Sequence, residues 1–258
     1  MCAALPRNLT TMTPDRAGRV LRDELCVFGP FVAVETHDDD AMPTPPWLPL
    51  TDLLTRADAI EARVAAVAAA LGERRPAGAA GPIDARVAAS VAHLGIVARL
   101  LAPVIATRAI PLPEPLDIDP DPGSIWWQDV LGGPVPLSVV ARPAPTSGTQ
   151  AGSVPDRIPI GVEALTVLMA DRHRLGQAVA WGNVGSAANG AANSVARARP
   201  DLASAARSAA DDTLRDPRVD GGSTRSGAGY RRRSCCLIYR LAADRQAICG
   251  DCVLQQSA

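Results

Sequence analysis

The chain has 258 residues and a formal net charge of −1, with 26 basic and 27 acidic side chains. It is long enough to bury a sizeable core as one large domain or two small ones, and its balanced charge excludes a global electrostatic attraction for nucleic acid or for an acidic membrane. Every basic residue is arginine, and four Trp, two Tyr and two Phe are the whole aromatic complement, too few for a base-stacking platform.

Met1 to Arg22 is polar and has no apolar stretch of the kind a secretory signal needs. A cytoplasmic setting, where thiols stay reduced, is therefore expected. Cys26 to Thr36 (CVFGPFVAVET) predicts a strand with a Gly-Pro turn inside it, and Asp38 to Pro49 an acidic, then proline-rich loop. From Thr51 the period changes. Leu53, Ala57, Ile60, Val64, Val67 and Leu71 fall at alternating spacings of four and three, one face of a helix capped by Thr51 and stopped at Gly72. A second helix is predicted from Asp84 to Ala102, with Pro103 ending or kinking it. The longest apolar stretch, Val87 to Thr107, is interrupted by His93, Arg99 and Pro103 and reads as a buried core helix rather than a membrane span.

Pro111, Pro113, Pro115, Pro120 and Pro122 exclude regular helix or central strand there. Ile125 to Val140 predicts a hairpin of two short strands around a Gly-Gly-Pro turn, and Ala141 to Pro155 a linker. Helices are expected over Gly161–Ala180, over Asn183–Arg199 with Asn183 as N-cap, and over Asp201–Leu214 with Asp201 as N-cap. Gly221 to Gly229 reads as flexible. The expected fold is mainly α (α+β): a helical body over residues 1–229 with a small β element, and a short C-terminal cysteine-bearing segment over residues 230–258 packed on it.

Cys235, Cys236, Cys249 and Cys252 lie within 18 residues, whereas Cys2 and Cys26 stand alone. Four thiols so close together in a reducing compartment point to metal ligation rather than disulfides. Cys249-Gly-Asp-Cys252 has the C-x-x-C spacing that lets both sulfurs reach one metal, and Gly250 can turn amide N–H groups toward them. The adjacent pair is unusual. Successive side chains of an extended strand point opposite ways, so Cys235 and Cys236 need a turn to cooperate. Zinc ribbons use C-x₂₋₄-C on both sides, and a two-iron cluster, being wider, tolerates vicinal ligands better. On spacing alone structural zinc and a 2Fe–2S cluster stay equally open.

The run Arg231-Arg-Arg-Ser-Cys235-Cys236-Leu-Ile-Tyr-Arg240, followed by Cys249-Gly-Asp-Cys252-Val-Leu254, resembles the C-terminal signature of the FhuF-like ferric siderophore reductases, of the actinobacterial type. Their cysteines follow C-C-x₁₀-C-x₂-C; here twelve residues separate Cys236 from Cys249, a loop extension across Ala242–Gln246 whose closure costs little. The segment Ala180-Trp-Gly-Asn-Val-Gly-Ser-Ala187 is similar to a W-G-N-x-x-S-A segment of the same family, and the likeness extends over roughly residues 84–254. The resemblance implies a 2Fe–2S cluster held by Cys235, Cys236, Cys249 and Cys252. It further implies one-electron reduction of Fe(III) in a siderophore, a hydroxamate by expectation, for iron acquisition. Electrons would come from a donor protein such as a ferredoxin or a reductase, and transient association with the inner face of the membrane is compatible with that role. The alternative is a non-enzymatic zinc or Fe–S module that binds a siderophore or a partner protein. Neither reading involves nucleic acid.

Arg231, Arg232 and Arg233 either tune such a cluster and attract its anionic partners or form a solvated basic turn. His93 reads as a satisfied structural histidine, His173 as part of a polar helix face, and His37, before three aspartates, as a weak metal contact. Trp126, Trp127 and Trp181 read as core or pocket lining. The glycines around Asn183 make no dinucleotide fingerprint, because no strand precedes them.

Overall fold

The computed structural model describes residues 13–74, 81–144, 158–241 and 249–254. Seven α-helices occur among them: α1 (Pro14–Cys26), α2 (Leu50–Thr55), α3 (Ala57–Glu73), α4 (Ala85–Ala109), α5 (Ile160–Arg172), α6 (Gln177–Ala198) and α7 (Ala203–Leu214). Six short strands accompany them: β1 (Glu35–Thr36), β2 (Leu48–Pro49), β3 (Leu116–Ile118), β4 (Ile125–Trp127), β5 (Leu137–Val139) and β6 (Ala141–Pro143). The fold is mainly helical with a small β element, as expected.

α4 is the centre of the molecule. Its side chains are apolar on nearly every face, which is tolerated only when a helix is surrounded. It packs most extensively against α6, with α3, α5 and α7 also against it. By length and composition α4 could cross a membrane, but 78% of its most apolar window is buried inside the protein. Asp84 caps its start, accepting from Arg86 N at 2.9 Å. Pro103 does not end it. The helix continues to Ala109, with Pro103 itself buried, because contacts on all sides outweigh the one backbone bond a proline forfeits.

The sheet runs in the order β1-β5-β4-β2, with β1 parallel to β5 and the other neighbours antiparallel; β3 and β6 form a separate antiparallel pair. The expected hairpin is β4 and β5, with Trp126 opposite Ser138. Arg99 of α4, 2% exposed, ties the helix to this layer. Its guanidinium donates to the carbonyls of Phe31, of Ala33 at 2.8 Å and of Val135 at 2.6 Å.

Several other boundaries differ from expectation. Cys26 closes α1 instead of opening a strand, and only Glu35–Thr36 of that segment pairs. The expected 51–72 helix breaks at Arg56, whose backbone is extended. The break between α5 and α6 falls at residues 173–176, so Asn183 lies inside α6 and is fully buried rather than a cap. The first turn after Pro200 is a 3₁₀ turn, and Asp201 makes no cap hydrogen bond. The linker reading of 141–155 yields β6 at its start, and residues 145–155 lie outside the described residues.

Candidate metal centre

The C-terminal segment is held on α6 by two glycines. A Cβ at Gly185 would stand 2.6 Å from Tyr230 Oη and 3.0 Å from Val219 Cγ1. A Cβ at Gly182 would collide with Ser234 Oγ and come within 2.8 Å of Arg232 Nη2. Three residues apart, these glycines share one face of the helix. They allow Tyr230 and the Arg232–Ser234 turn to lie directly on its backbone. The preceding loop is not free: Gly227 N donates to Asn189 Oδ1 at 2.8 Å and Ser226 N to Asp211 Oδ1 at 2.8 Å.

Arg232 is 1% exposed, while Arg231 and Arg233 face solvent. Its Nε donates to Ser234 O at 2.6 Å, Nη1 to Asn183 Oδ1 at 2.9 Å, and Nη2 to Val179 O at 3.2 Å. Among the described residues none of its hydrogen-bond partners is a carboxylate. A buried cation without an anion is costly, so this site asks for negative charge nearby. Asn183 passes the contact on. Its Nδ2 donates to Ser90 O at 3.1 Å and to His93 Nδ1 at 3.3 Å. His93 Nε2 meets Thr166 Oγ1 at 3.1 Å, and that hydroxyl donates to Val162 O at 2.6 Å. The Thr166 oxygen therefore accepts, which assigns the proton to Nε2 and leaves Nδ1 as acceptor. Burial, aided by Arg232, lowers His93 to about 3, so it is neutral. It is the satisfied structural histidine that its sequence setting suggests.

The four cysteines gather at the end of this segment. Cys236 and Cys252 are buried, and Cys235 and Cys249 half-buried. Leu237 has a left-handed backbone, φ 68°, and this is the turn that two adjacent cysteines require. It aims Leu237 N at Cys235 Sγ, 3.3 Å away. On the other arm Cys252 N donates to Cys249 O at 3.1 Å, and Leu254 N to Cys252 Sγ at 3.3 Å. Arg232 N donates to Asp251 O at 3.2 Å and clips the two arms together.

Cys236 Sγ and Cys249 Sγ are 3.4 Å apart. Two thiolates about 2.3 Å from one tetrahedral metal stand roughly 3.7 Å from each other, so this pair is close to the spacing that one metal corner demands. The contact with Cys249 lowers the Cys236 thiol to about 6 and pushes Cys249 up. Burial pushes the Cys235 thiol up, with the Leu237 amide and Arg232 opposing. Among the described residues no three His, Cys, Asp or Glu side chains converge on a single-ion position. Cys236 and Cys249 form a close pair of sulfurs, the unit each iron of a two-iron cluster takes. Buried thiols, amide donors aimed at sulfur and an unpaired buried cation together suit an anionic cluster.

Residues 232–254 match the family model of the FhuF 2Fe-2S C-terminal domain. The C-terminal segment is similar to a FhuF 2Fe–2S domain. Zinc and two-iron clusters were equal on cysteine spacing, and the match decides for 2Fe–2S. The likeness is to a domain of the FhuF-like siderophore reductases and covers this segment alone. No curated protein and no solved structure matches the chain. The upstream likeness at Ala180–Ala187 lies outside the matched residues, yet it is where the C-terminal segment docks, through Gly182, Asn183 and Gly185.

The other candidates lie elsewhere. Cys26 is exposed at the end of α1, its thiol donating to Asp23 O at 3.1 Å. Cys2 and the extension Ala242–Gln246 lie outside the described residues. His37 Nδ1 is engaged with Ser138 Oγ at 2.8 Å. Trp181 is core: its ring lies under the Arg218 guanidinium, 4.5 Å from the centroid, and its Nε1 donates to Gln177 Oε1 at 3.1 Å. Sequence reasoning missed the buried chain Arg232–Asn183–His93. Its signal was two polar residues, His93 and Asn183, on helices otherwise apolar. It also missed a cavity of about 610 Å³ with Gly250 and Asp251 in its wall, which only the tertiary arrangement reveals.

Proposed function

We propose that this protein is a cytoplasmic ferric siderophore reductase. Its C-terminal segment, residues 230–258, would hold a 2Fe–2S cluster through Cys235, Cys236, Cys249 and Cys252 on a helical body, residues 1–229. The observation that carries the reading is that all four sulfurs lie within the matched domain, two of them 3.4 Å apart beside a buried arginine.

Fe(III) is a hard cation held strongly by anionic oxygens, and Fe(II) is held far more weakly. One electron therefore loosens the chelate and frees the iron. When bound, the cluster supplies that single electron. The chain's own residues have simpler tasks. Leu237 and Leu254 amides steady the sulfurs, Arg232 offsets the negative charge they carry, and α6 holds the segment in place. No acid, base or nucleophile is needed. The electron is replaced by a donor protein such as a ferredoxin or a reductase, and a hydroxamate siderophore is the expected substrate. Delivery of that chelate by a transporter would place the protein transiently at the inner face of the membrane.

Anaerobically purified protein should be brown and contain about two irons and two sulfides. Cys235→Ser, Cys236→Ser, Cys249→Ser and Cys252→Ser should each lose that colour. Reduced wild-type protein should convert a ferric trihydroxamate to Fe(II). A colourless protein containing zinc would sink this reading.

A further inference from the structure

We infer that the ferric chelate docks in the cavity walled by the Cys249–Cys252 loop, and that this site favours uncharged or anionic oxygen chelates over cationic ones. The inference rests on the reductase reading of the same domain. The cavity holds about 610 Å³, within the range of roughly 300–1,000 Å³ that small-molecule sites occupy. Gly250 and Asp251 form part of its wall, and they are the two residues between Cys249 and Cys252. A molecule seated there touches the loop that carries two of the four sulfurs.

The opposite wall is one face of α6. Ser186, Gly190, Asn193 and Arg197 line it at spacings of four, three and four, a strip of short polar side chains ending in a guanidinium. Leu94 and Ala98 of α4 add apolar surface. This mixture suits a metal wrapped in an organic chelator, which presents carbon edges and rows of oxygen acceptors. The charged lining residues are Arg197, Arg231 and Asp251; the cluster's negative charge lies behind the loop wall, and Arg197 on the opposite, α6 wall is the group that disfavours a cationic guest there. There is space as well as chemistry. A Cβ at Gly190 or at Gly250 would meet no atom within 4 Å.

The test is isothermal titration of the purified, cluster-containing protein with three gallium(III) complexes. These are the complexes of desferrioxamine B, its N-acetyl derivative and its N-succinyl derivative. All three share one trihydroxamate cage and carry positive, zero and negative charge. Gallium(III) copies the size and charge of iron(III) but does not accept the electron, so binding is read without turnover. The uncharged and anionic complexes should bind about tenfold more tightly than the cationic one. Gly190→Leu fills open space on a helix and should abolish binding while leaving melting temperature and visible spectrum unchanged. Arg197→Ala should keep the fold and reduce the charge preference severalfold.

Equal binding of the three complexes, or binding indifferent to Gly190→Leu, overturns the assignment. So does a protein that reduces iron(III) chelates yet binds none of the gallium complexes, and that result leaves the reductase reading standing. A protein that binds gallium chelates in the Gly190-sensitive way but delivers no electron to the iron(III) counterparts keeps the site and loses the reductase.

Discussion

Asn183 joins Arg232 to His93, accepting from the guanidinium at 2.9 Å on its oxygen and donating to the imidazole at 3.3 Å from its nitrogen. An amide has an acceptor on one side and donors on the other, so it can join a cation to a neutral acceptor without a charge of its own. The body of the protein thus receives the segment's Arg232 through neutral groups and leaves its positive charge beside the cysteines. A carboxylate in place of Asn183 would have neutralised that charge.

The first consequence concerns redox potential. A nearby cation favours the more negative, reduced cluster. Arg232→Gln should lower the midpoint potential by roughly 60 mV, the one-electron equivalent of a tenfold change. Arg231→Gln and Arg233→Gln, at solvent-exposed positions, should move it far less. Spectroelectrochemical titration of the three variants separates them. Equal shifts from all three would show that the basic run acts as a general charge rather than through Arg232.

The second concerns docking. Gly182→Ala forces a methyl group into Ser234 and Arg232, and Gly185→Ala forces one into Tyr230. Each should cost about 1–3 kcal/mol and act at the segment's seat on the body. The helical circular dichroism should persist while iron and sulfide content falls. Full cluster occupancy in both variants would contradict the docking role given to these glycines.

The third concerns the cysteines. Cys26→Ser should keep full iron content, because Cys26 sits on α1 and is bonded to Asp23 O. Cys236→Ser should lose the cluster. Its helical melting should survive in part, since α4 and α6 pack without any help from the segment's sulfurs. Iron analysis beside thermal melting distinguishes loss of cluster from loss of fold.

The fourth concerns pH. His93 is lowered from 6.5 to about 3 by burial first and Arg232 second. The unfolded chain therefore binds a proton that the native protein refuses. Stability should fall as pH drops from about 6.5 toward 3 and be unaffected by this group above that window. Between pH 6.5 and 5 the loss should approach 2 kcal/mol, at about 1.4 kcal/mol per unit. Urea titrations of wild type and His93→Gln check it, since the variant should lack this component. Parallel pH curves for the two proteins would contradict it.

Much of this was legible in the sequence. The apolar stretch around Val87–Thr107 could only be a surrounded helix, and α4 is one. Ile125–Val140 could only be a hairpin, and β4–β5 is one. The cysteine arithmetic pointed to four C-terminal thiols, and the matched residues 232–254 contain them. Boundaries were harder, for physical reasons. Asn183 resembles a cap locally, and only its buried partners, Arg232 and Ser90, explain a polar side chain in mid-helix. Pro103 resembles a terminator, but packing overrides it. α1 was not expected, because the β-branched residues after Cys26 suggested a strand in that region. The cavity was not legible at all, because Ser186, Asn193 and Gly250 become neighbours only when the segment lies on α6.

The proposed reductase passes single electrons from the cluster of its C-terminal segment to siderophore iron. The most direct test is an anaerobic single turnover. Protein reduced with dithionite and freed of excess reductant is mixed with a ferric trihydroxamate, and the Fe(II) formed is trapped with a ferrous-specific dye. The expected result is about one Fe(II) per protein, with the oxidised visible spectrum returning at the same rate and Cys252→Ser inactive. A reduced protein that keeps its electron in the presence of every ferric chelate offered, and releases it only to air, would contradict the claim.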